Sequence, residues 1–223
     1  MSALLACDQL VLTLGDIPFS LELAQGEIVR VSMSTDRQTS LLLQTILGEQ
    51  PAAAGEIYLF GYNLAACGHE ELLKLRSNLA VVTPQAGLVA NLKLWENIML
   101  PLLYHRGSAE VTAADQATQL LDRLGYRGNI WSLPGHLTPA ERIITCFIRA
   151  AVSRPALVVY AGVLSELTVA QRSSLLQEIA TLHGQPASPA ALFISVGHEQ
   201  LEGLQIHRQY DLYHQQSTTA RVS

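Results

Sequence analysis

"VSMSTDRQTSLLL", residues 31–43, decides how this chain is read. The stretch just before it, Gln25-Gly26-Glu27-Ile28-Val29-Arg30-Val31, is strand-like and runs into a polar loop. The loop then opens into an apolar helix at Leu41-Leu42-Leu43. Loops that cradle phosphate are built in this way, as G-x-x-x-x-G-K-[ST] between a strand and a helix. Here the frame is present, but the glycines and the lysine are missing.

The composition bounds what such a frame can belong to. A length of 223 residues with 49% apolar side chains suits one large domain, or a domain with a subdomain, around a sizeable core. The formal charge is −5 and no block of Lys and Arg stands out, which argues against a nucleic-acid partner. Cys7, Cys67 and Cys146 lie far apart and form no C-x-x-C pair, as expected in a reducing compartment. The start, MSALLACDQL, carries Asp8 and no basic run, so no signal peptide is expected. No apolar run reaches the roughly 18–20 residues that span a bilayer. The chain is expected to be cytoplasmic, with any membrane role exerted through a partner.

Short alternating or apolar runs predict strands over 9–14, 19–23, 28–32 and 56–60, punctuated by Gly15, Gly26 and Gly61. Helices are expected over 38–47 with Gly48 as the stop, over 69–76, over 95–104 and over 111–124. Thr138-Pro139-Ala140-Glu141 is a capping box with Pro at the first helical position. It opens a helix to 153 whose apolar face is Ile143, Ile144, Phe147, Ile148, Ala151 and Val152. Strands over 79–83, 156–160 and 190–196 alternate with helices, including one capped by Thr168 and running to about 183. That alternation predicts a partly parallel α/β sheet. Residues 204–213 are weakly strand-like, and 215–223 are expected to be a loose tail.

Three stretches carry a resemblance to a known family. "LAQGEIVRVSMSTDRQTSLLLQTILGEQPAAAGEIYLFGYNL" has the spacing of strand, phosphate loop, helix and return strand. "VVTPQAGLVANLKLWENIMLPLLYH" is similar to a Q-loop and its following segment, and "LPGHLTPAERIITCFIRAAVSRPALVVYAGVLSEL" to a signature motif, Walker B strand and D-loop. Over roughly residues 8–214 the chain resembles an ABC transporter ATP-binding subunit, most closely the lipid-asymmetry (organic-solvent-resistance) type. The resemblance implies a P-loop NTPase-like nucleotide-binding domain of class α/β. It would span residues 1–214, with an N-terminal antiparallel β portion and a helical subdomain over about 95–153.

The family pattern assigns roles that the residues here fill poorly. The loop glycines fall on Ser32, Thr35 and Arg37, and the lysine on Gln38. Thr39 keeps the hydroxyl that would hold Mg²⁺, and Ser40 follows. Gln38 has no charge, Asp36 would repel phosphate, and Arg37 is a partial substitute. The aromatic position for adenine falls on Leu14, read as a core leucine. Pro84 takes the Q-loop glutamine position, with Gln85 next to it, and the signature helix is closed by its own capping box. The Walker B strand Leu157-Val158-Val159-Tyr160 ends on Ala161 and Gly162, neither of which ligates a metal or moves a proton, while Glu166 lies in the turn beyond. His198 stands at the position of the switch histidine, and a structural role suits it as well. The residual nucleotide-site positions are thus Arg37, Gln38, Thr39, Ser40, Gln85 and His198, with no catalytic residue and no metal site.

The expectation drawn is a degenerate, non-hydrolysing cassette in a membrane complex, structural or regulatory, with lipid cargo implied only by the resemblance. No cofactor is expected, and ATP with Mg²⁺ would bind only weakly. A permease would dock on the apolar segment after the Q-loop through Leu88, Val89, Leu92 and Trp95, and the chain would pair with itself or with an active ATPase. Two other readings stay open: a divergent ATPase using Thr39, Arg37, Gln85 and His198, and a stand-alone cytoplasmic interaction module.

Overall fold

A computed structural model describes residues 3–85, 87–103, 109–185 and 187–212. The chain runs β1 (Leu5–Val11), β2 (Phe19–Leu23), β3 (Ile28–Met33), α1 (Asp36–Ile46), β4 (Ala54–Leu59), β5 (Tyr62–Asn63), α2 (His69–Arg76) and β6 (Leu79–Val82). It continues through α3 (Leu94–Leu103), α4 (Ala109–Arg123), α5 (Pro139–Ser153), β7 (Leu157–Ala161), α6 (Val169–His183), β8 (Ala190–Val196) and β9 (Arg208–Asp211). The expected tail over 215–223, together with Ala86, His105 and His214, lies outside the described residues.

Two sheets form. β2, β1, β4 and β5 make an antiparallel sheet, and β6, β7, β8, β3 and β9 lie parallel in that order. Parallel neighbours require crossover connections, which the helices supply. β3 and β8 pair from Ile28 opposite Ala191 to Met33 opposite Val196. Their shared direction brings residues 34–39 and His198 to the same edge of the sheet, where open α/β sheets bind ligands.

β7 is buried along its whole length, and so is β8 up to Val196. The two-residue period of a strand divides their side chains between two cores. Leu157, Val159, Leu192 and Ile194 pack with α1 and the antiparallel sheet. Val158, Tyr160, Ala191 and Phe193 pack with α3, α4, α5 and α6. The whole expected apolar face of α5 is buried, and its capping box is formed: the Glu141 N–H donates to Thr138 Oγ1 at 3.2 Å and the Thr138 N–H to Glu141 Oε2 at 2.8 Å.

The first strand differs from expectation. β1 covers Leu5–Val11 rather than 9–14, because it is bulged: its register shifts against both neighbours around Gln9, whose φ is 45°. A bulge breaks the two-residue alternation from which a strand is read. Gly55 permits it, since a Cβ there would lie 2.2 Å from the Gln9 carbonyl oxygen. Leu14, expected in the core, is 87% exposed on the turn after β1.

Tyr160 and His183 tie the central strand to the end of α6. Tyr160 is fully buried and stacks on Phe193 with ring centroids 4.5 Å apart. Its Oη lies 2.9 Å from His183 Nε2, and His183 Nδ1 lies 2.9 Å from the Pro189 carbonyl oxygen. A carbonyl accepts, so Nδ1 carries the hydrogen and Nε2 accepts from the tyrosine, which fixes a neutral ring. Burial lowers the His183 pKa, with the Pro189 carbonyl opposing. The unfolded chain takes up a proton near the ordinary histidine value of about 6.5, and the fold resists it. The stabilisation is therefore present above that value and lost as pH falls through the lowered one. In thermal melts, the Tm gap between the natural chain and His183→Gln should shrink between pH 7.5 and pH 5; a constant gap would contradict the assignment.

Candidate functional site

The loop after β3 is short because α1 starts at Asp36 rather than at 38. Thr35 is the N-cap, and its Oγ1 accepts from the Gln38 N–H at 3.2 Å. The Thr39 N–H donates to the Thr35 carbonyl at 3.1 Å. The Ser34 N–H donates to Gln38 Oε1 at 3.2 Å. Donors that a phosphate loop would turn toward its ligand are here engaged with the loop's own oxygens. Thr39 is buried, and its Oγ1 donates inward to the Thr35 carbonyl at 3.3 Å. Arg37 and Ser40 are exposed. The hollow beside the loop, lined by Leu12, Asp16, Ile17, Phe19, Met33, Gln38 and Leu212, holds about 20 Å³.

The remaining positions stand around this edge with mixed geometry. His198 Nδ1 lies 3.2 Å from an Arg30 guanidinium nitrogen and 3.7 Å from Asp211 Oδ1. Arg30 also donates to the Glu199 carbonyl at 3.0 Å. Gln85 is exposed, and its Oε1 accepts from the buried Thr83 hydroxyl at 2.7 Å. β7 delivers Ala161 and Gly162 to the edge, and Glu166 is exposed in the following turn. Gly162 has a φ of 61°, and a Cβ built on it meets nothing within 4 Å. Among the described residues no three His, Cys, Asp or Glu side chains converge as a metal-ligand set.

The segment after the Q-loop is organised by a residue that sequence reasoning missed. Asn97 is wholly buried on α3. Its Oδ1 accepts from the Val89 N–H at 2.7 Å, and its Nδ2 donates toward the carbonyls of Val89, Leu92 and Lys93 at 3.1, 2.9 and 3.1 Å. One amide thus satisfies the backbone of a whole turn. A lone polar residue inside an apolar helix gives no spacing from which to read this. Around the turn, Val89 is 40% exposed, while Leu88 and Trp95 pack partly on the helical core and Leu92 is half-buried. Trp131 and Leu133 are exposed nearby, with Lys93 Nζ lying 5.5 Å from the Trp131 ring centroid. Beside the free edge of β6 runs a groove of about 620 Å³ with Leu43, Leu47, Val81 and Leu100 in its walls and Arg76 and Arg149 at its margin.

Known proteins are similar to this chain in sequence and fold. The chain is 30% identical over 189 residues to the lipoprotein-releasing system ATP-binding protein LolD of Chromohalobacter salexigens, covering 84% of this chain and 77% of that protein. The chain belongs to the ABC transporter ATP-binding subunits. A second relative, LolD of Pseudomonas fluorescens, is 31% identical over 165 residues, 72% of each chain. No protein-family model matches. Among solved structures, the ATP-binding cassette MJ0796, a dimer in a post-hydrolysis state bound to ADP and Pi, has a TM-score of 0.70 at 17% identity and covers 90% of this chain and all of that one. The structure of cbiO1 from Clostridium perfringens, part of the ABC transporter complex cbiONQ, has a TM-score of 0.68 at 12% identity, over 88% of this chain and 80% of that one. These structural likenesses speak for the fold, which is the α/β P-loop cassette fold expected.

Membership corrects one expectation. A chain with no cofactor, holding ATP and Mg²⁺ only weakly, was expected; the family is one of ATP-binding subunits, and a structural neighbour holds ADP and Pi. The expectation counted lost side chains. Much of a phosphate cradle is backbone N–H at a helix N-terminus, which a count of side chains leaves out, although at α1 the Gln38 and Thr39 N–H groups are held by Thr35.

Two substitutions test the local physics. Because the space at Gly162 is open but its φ is left-handed, Gly162→Ala and Gly162→Glu should lose a similar amount, about 1 kcal/mol, in denaturant melts. A much larger loss for Glu would mean crowding instead. Asn97→Ala should cost about 1–3 kcal/mol, and Asn97→Asp more, since a carboxylate would face the carbonyls of Val89, Leu92 and Lys93.

Proposed function

We propose that this chain is the nucleotide-binding subunit of a membrane transport complex for lipid-linked cargo, and that it holds ATP without hydrolysing it. One observation carries the second half. β7 ends at Ala161 and is followed by Gly162, at the positions where the family has a metal carboxylate and a catalytic carboxylate. Neither residue can hold Mg²⁺ or take a proton from water.

The residues fit a nucleotide better than they fit its metal. Leu14 and Ile17 offer exposed apolar surface to a base, and exposed Arg37 with the N-terminus of α1 offers positive potential to phosphate. For Mg²⁺ the described residues offer less, because Thr39 Oγ1 is turned inward onto the Thr35 carbonyl. When bound, ATP supplies negative charge and binding energy at the end of α1. The chain's own residues then orient it and leave water unactivated.

The cargo class rests on the relatives, which are named for lipoprotein release. Location at the inner face of the membrane and pairing with a permease follow from the same kinship. Val89, with Trp131 and Leu133, is the exposed apolar surface that supports permease docking. Leu88, Leu92 and Trp95 support that surface from beneath more than they offer themselves. Pairing with a second cassette, identical or active, belongs to the same reading.

Calorimetry with ATP, run alongside a phosphate-release assay, tests this function. Saturable binding without Mg²⁺-dependent release above a buffer control is expected. Release that tracks the protein and is lost in Thr39→Ala would favour the divergent ATPase, and absence of binding would favour an interaction module. For docking, Val89→Glu should keep the melting temperature yet reduce the fraction recovered with membranes; unchanged recovery would remove Val89 from the interface.

A further inference from the structure

We propose that Gln38 is an internal competitor for nucleotide phosphate: its side-chain amide oxygen holds the Ser34 N–H in a phosphate oxygen's place, and it must turn away for nucleotide to bind. The proposal rests on the nucleotide reading above and adds what governs affinity at that site.

Gln38, where the family pattern has lysine, is a lost charge. The geometry gives it a second consequence. A lysine ammonium has three donors and no acceptor, so it cannot engage a backbone N–H. Glutamine is one bond shorter and ends in an amide oxygen, and here that oxygen accepts from the Ser34 N–H at 3.2 Å. Thr35 completes the closure, taking the Gln38 N–H on Oγ1 and the Thr39 N–H on its carbonyl. The result is a helix that begins at Asp36, a loop reduced to Ser34 and Thr35, and a hollow of about 20 Å³ with Gln38 in its wall. Two of these three bonds resemble an ordinary N-cap. The bond from Ser34 to the Gln38 side chain is offset from one: in a capping box the Gln at this third helical position would accept from the N–H of the cap residue, Thr35, and here it accepts from the residue before it.

Gln38 is only half-buried, so its side chain has room to leave. Opening breaks the bond between the Ser34 N–H and Gln38, so that an anion's oxygen can take the place of the amide oxygen, and the exposed Arg37 beside it adds charge once the loop is open. Asp36 opposes the anion in either state. The competition should therefore be modest, about fivefold in affinity, the equivalent of one net hydrogen bond of about 1 kcal/mol.

Titrate the natural chain, Gln38→Ala and Gln38→Glu with ATP and, separately, with tripolyphosphate, each without Mg²⁺, and record melting temperatures. Gln38→Ala should bind both anions about fivefold more tightly than the natural chain. Gln38→Glu, which keeps the acceptor and adds charge, should bind both more weakly. Amide exchange at Ser34 should be faster in Gln38→Ala. If Gln38→Ala binds ATP no more tightly while the natural chain binds it, the competitor role is overturned and the nucleotide reading stands. If no form binds ATP, the nucleotide reading fails and tripolyphosphate decides alone: tighter binding by Gln38→Ala supports the competition, and equal or absent binding overturns it. Should Gln38→Ala melt early, Gln38→Glu still decides, because affinity equal to or above that of the natural chain contradicts the proposal.

Discussion

Burial of β7 and β8 on both faces is the constraint from which the rest of this molecule follows. A strand covered on both sides has no room for polar chemistry along its length. Its alternating side chains must serve two cores at once, as Val158 and Val159 do. Chemistry is left to the residues just past the strand ends. Parallel pairing of β3, β8 and β7 gathers those ends at one edge: the loop at 34–35, the corner at Ala161 and Gly162, and His198. A substitution at such an end falls outside both cores, so a cassette can keep its fold whichever residues stand at that edge.

Around that edge, and at the start of α5, polar groups are turned onto one another. Thr35, Gln38 and Thr39 satisfy the loop, Thr138 and Glu141 close the signature helix, and Arg30 and Asp211 engage His198. An unsatisfied donor is costly wherever water is excluded, so side chains that supply the loop with acceptors are favoured. The loop therefore remains ordered although its glycines and lysine are absent. The same economy explains Asn97, one buried amide that fixes the turn bearing Val89.

The sequence revealed those features whose cause is local. The capping boxes at Thr138 and Thr168 placed α5 and α6 correctly, because a cap is written in four consecutive residues. The order of landmarks revealed the family. What stayed hidden depends on distant partners. The bulge at Gln9 requires Gly55, far along the chain, and without it the alternation of β1 misleads. Leu14 looked like core because leucine usually is, but the turn at 13–16 carries it outward. Tyr160 and His183 meet only once α6 folds back on β7. The cofactor expectation failed for a different reason: side chains are visible in a sequence, and the backbone donors of a helix N-terminus are not.

The structure of the chain determined in the presence of ATP and Mg²⁺ would test the central claim most directly. The account predicts an intact triphosphate at the N-terminus of α1 after prolonged incubation, with the Gln38 side chain turned away from Ser34. ADP at that site, formed by the purified chain from the ATP supplied, would contradict it.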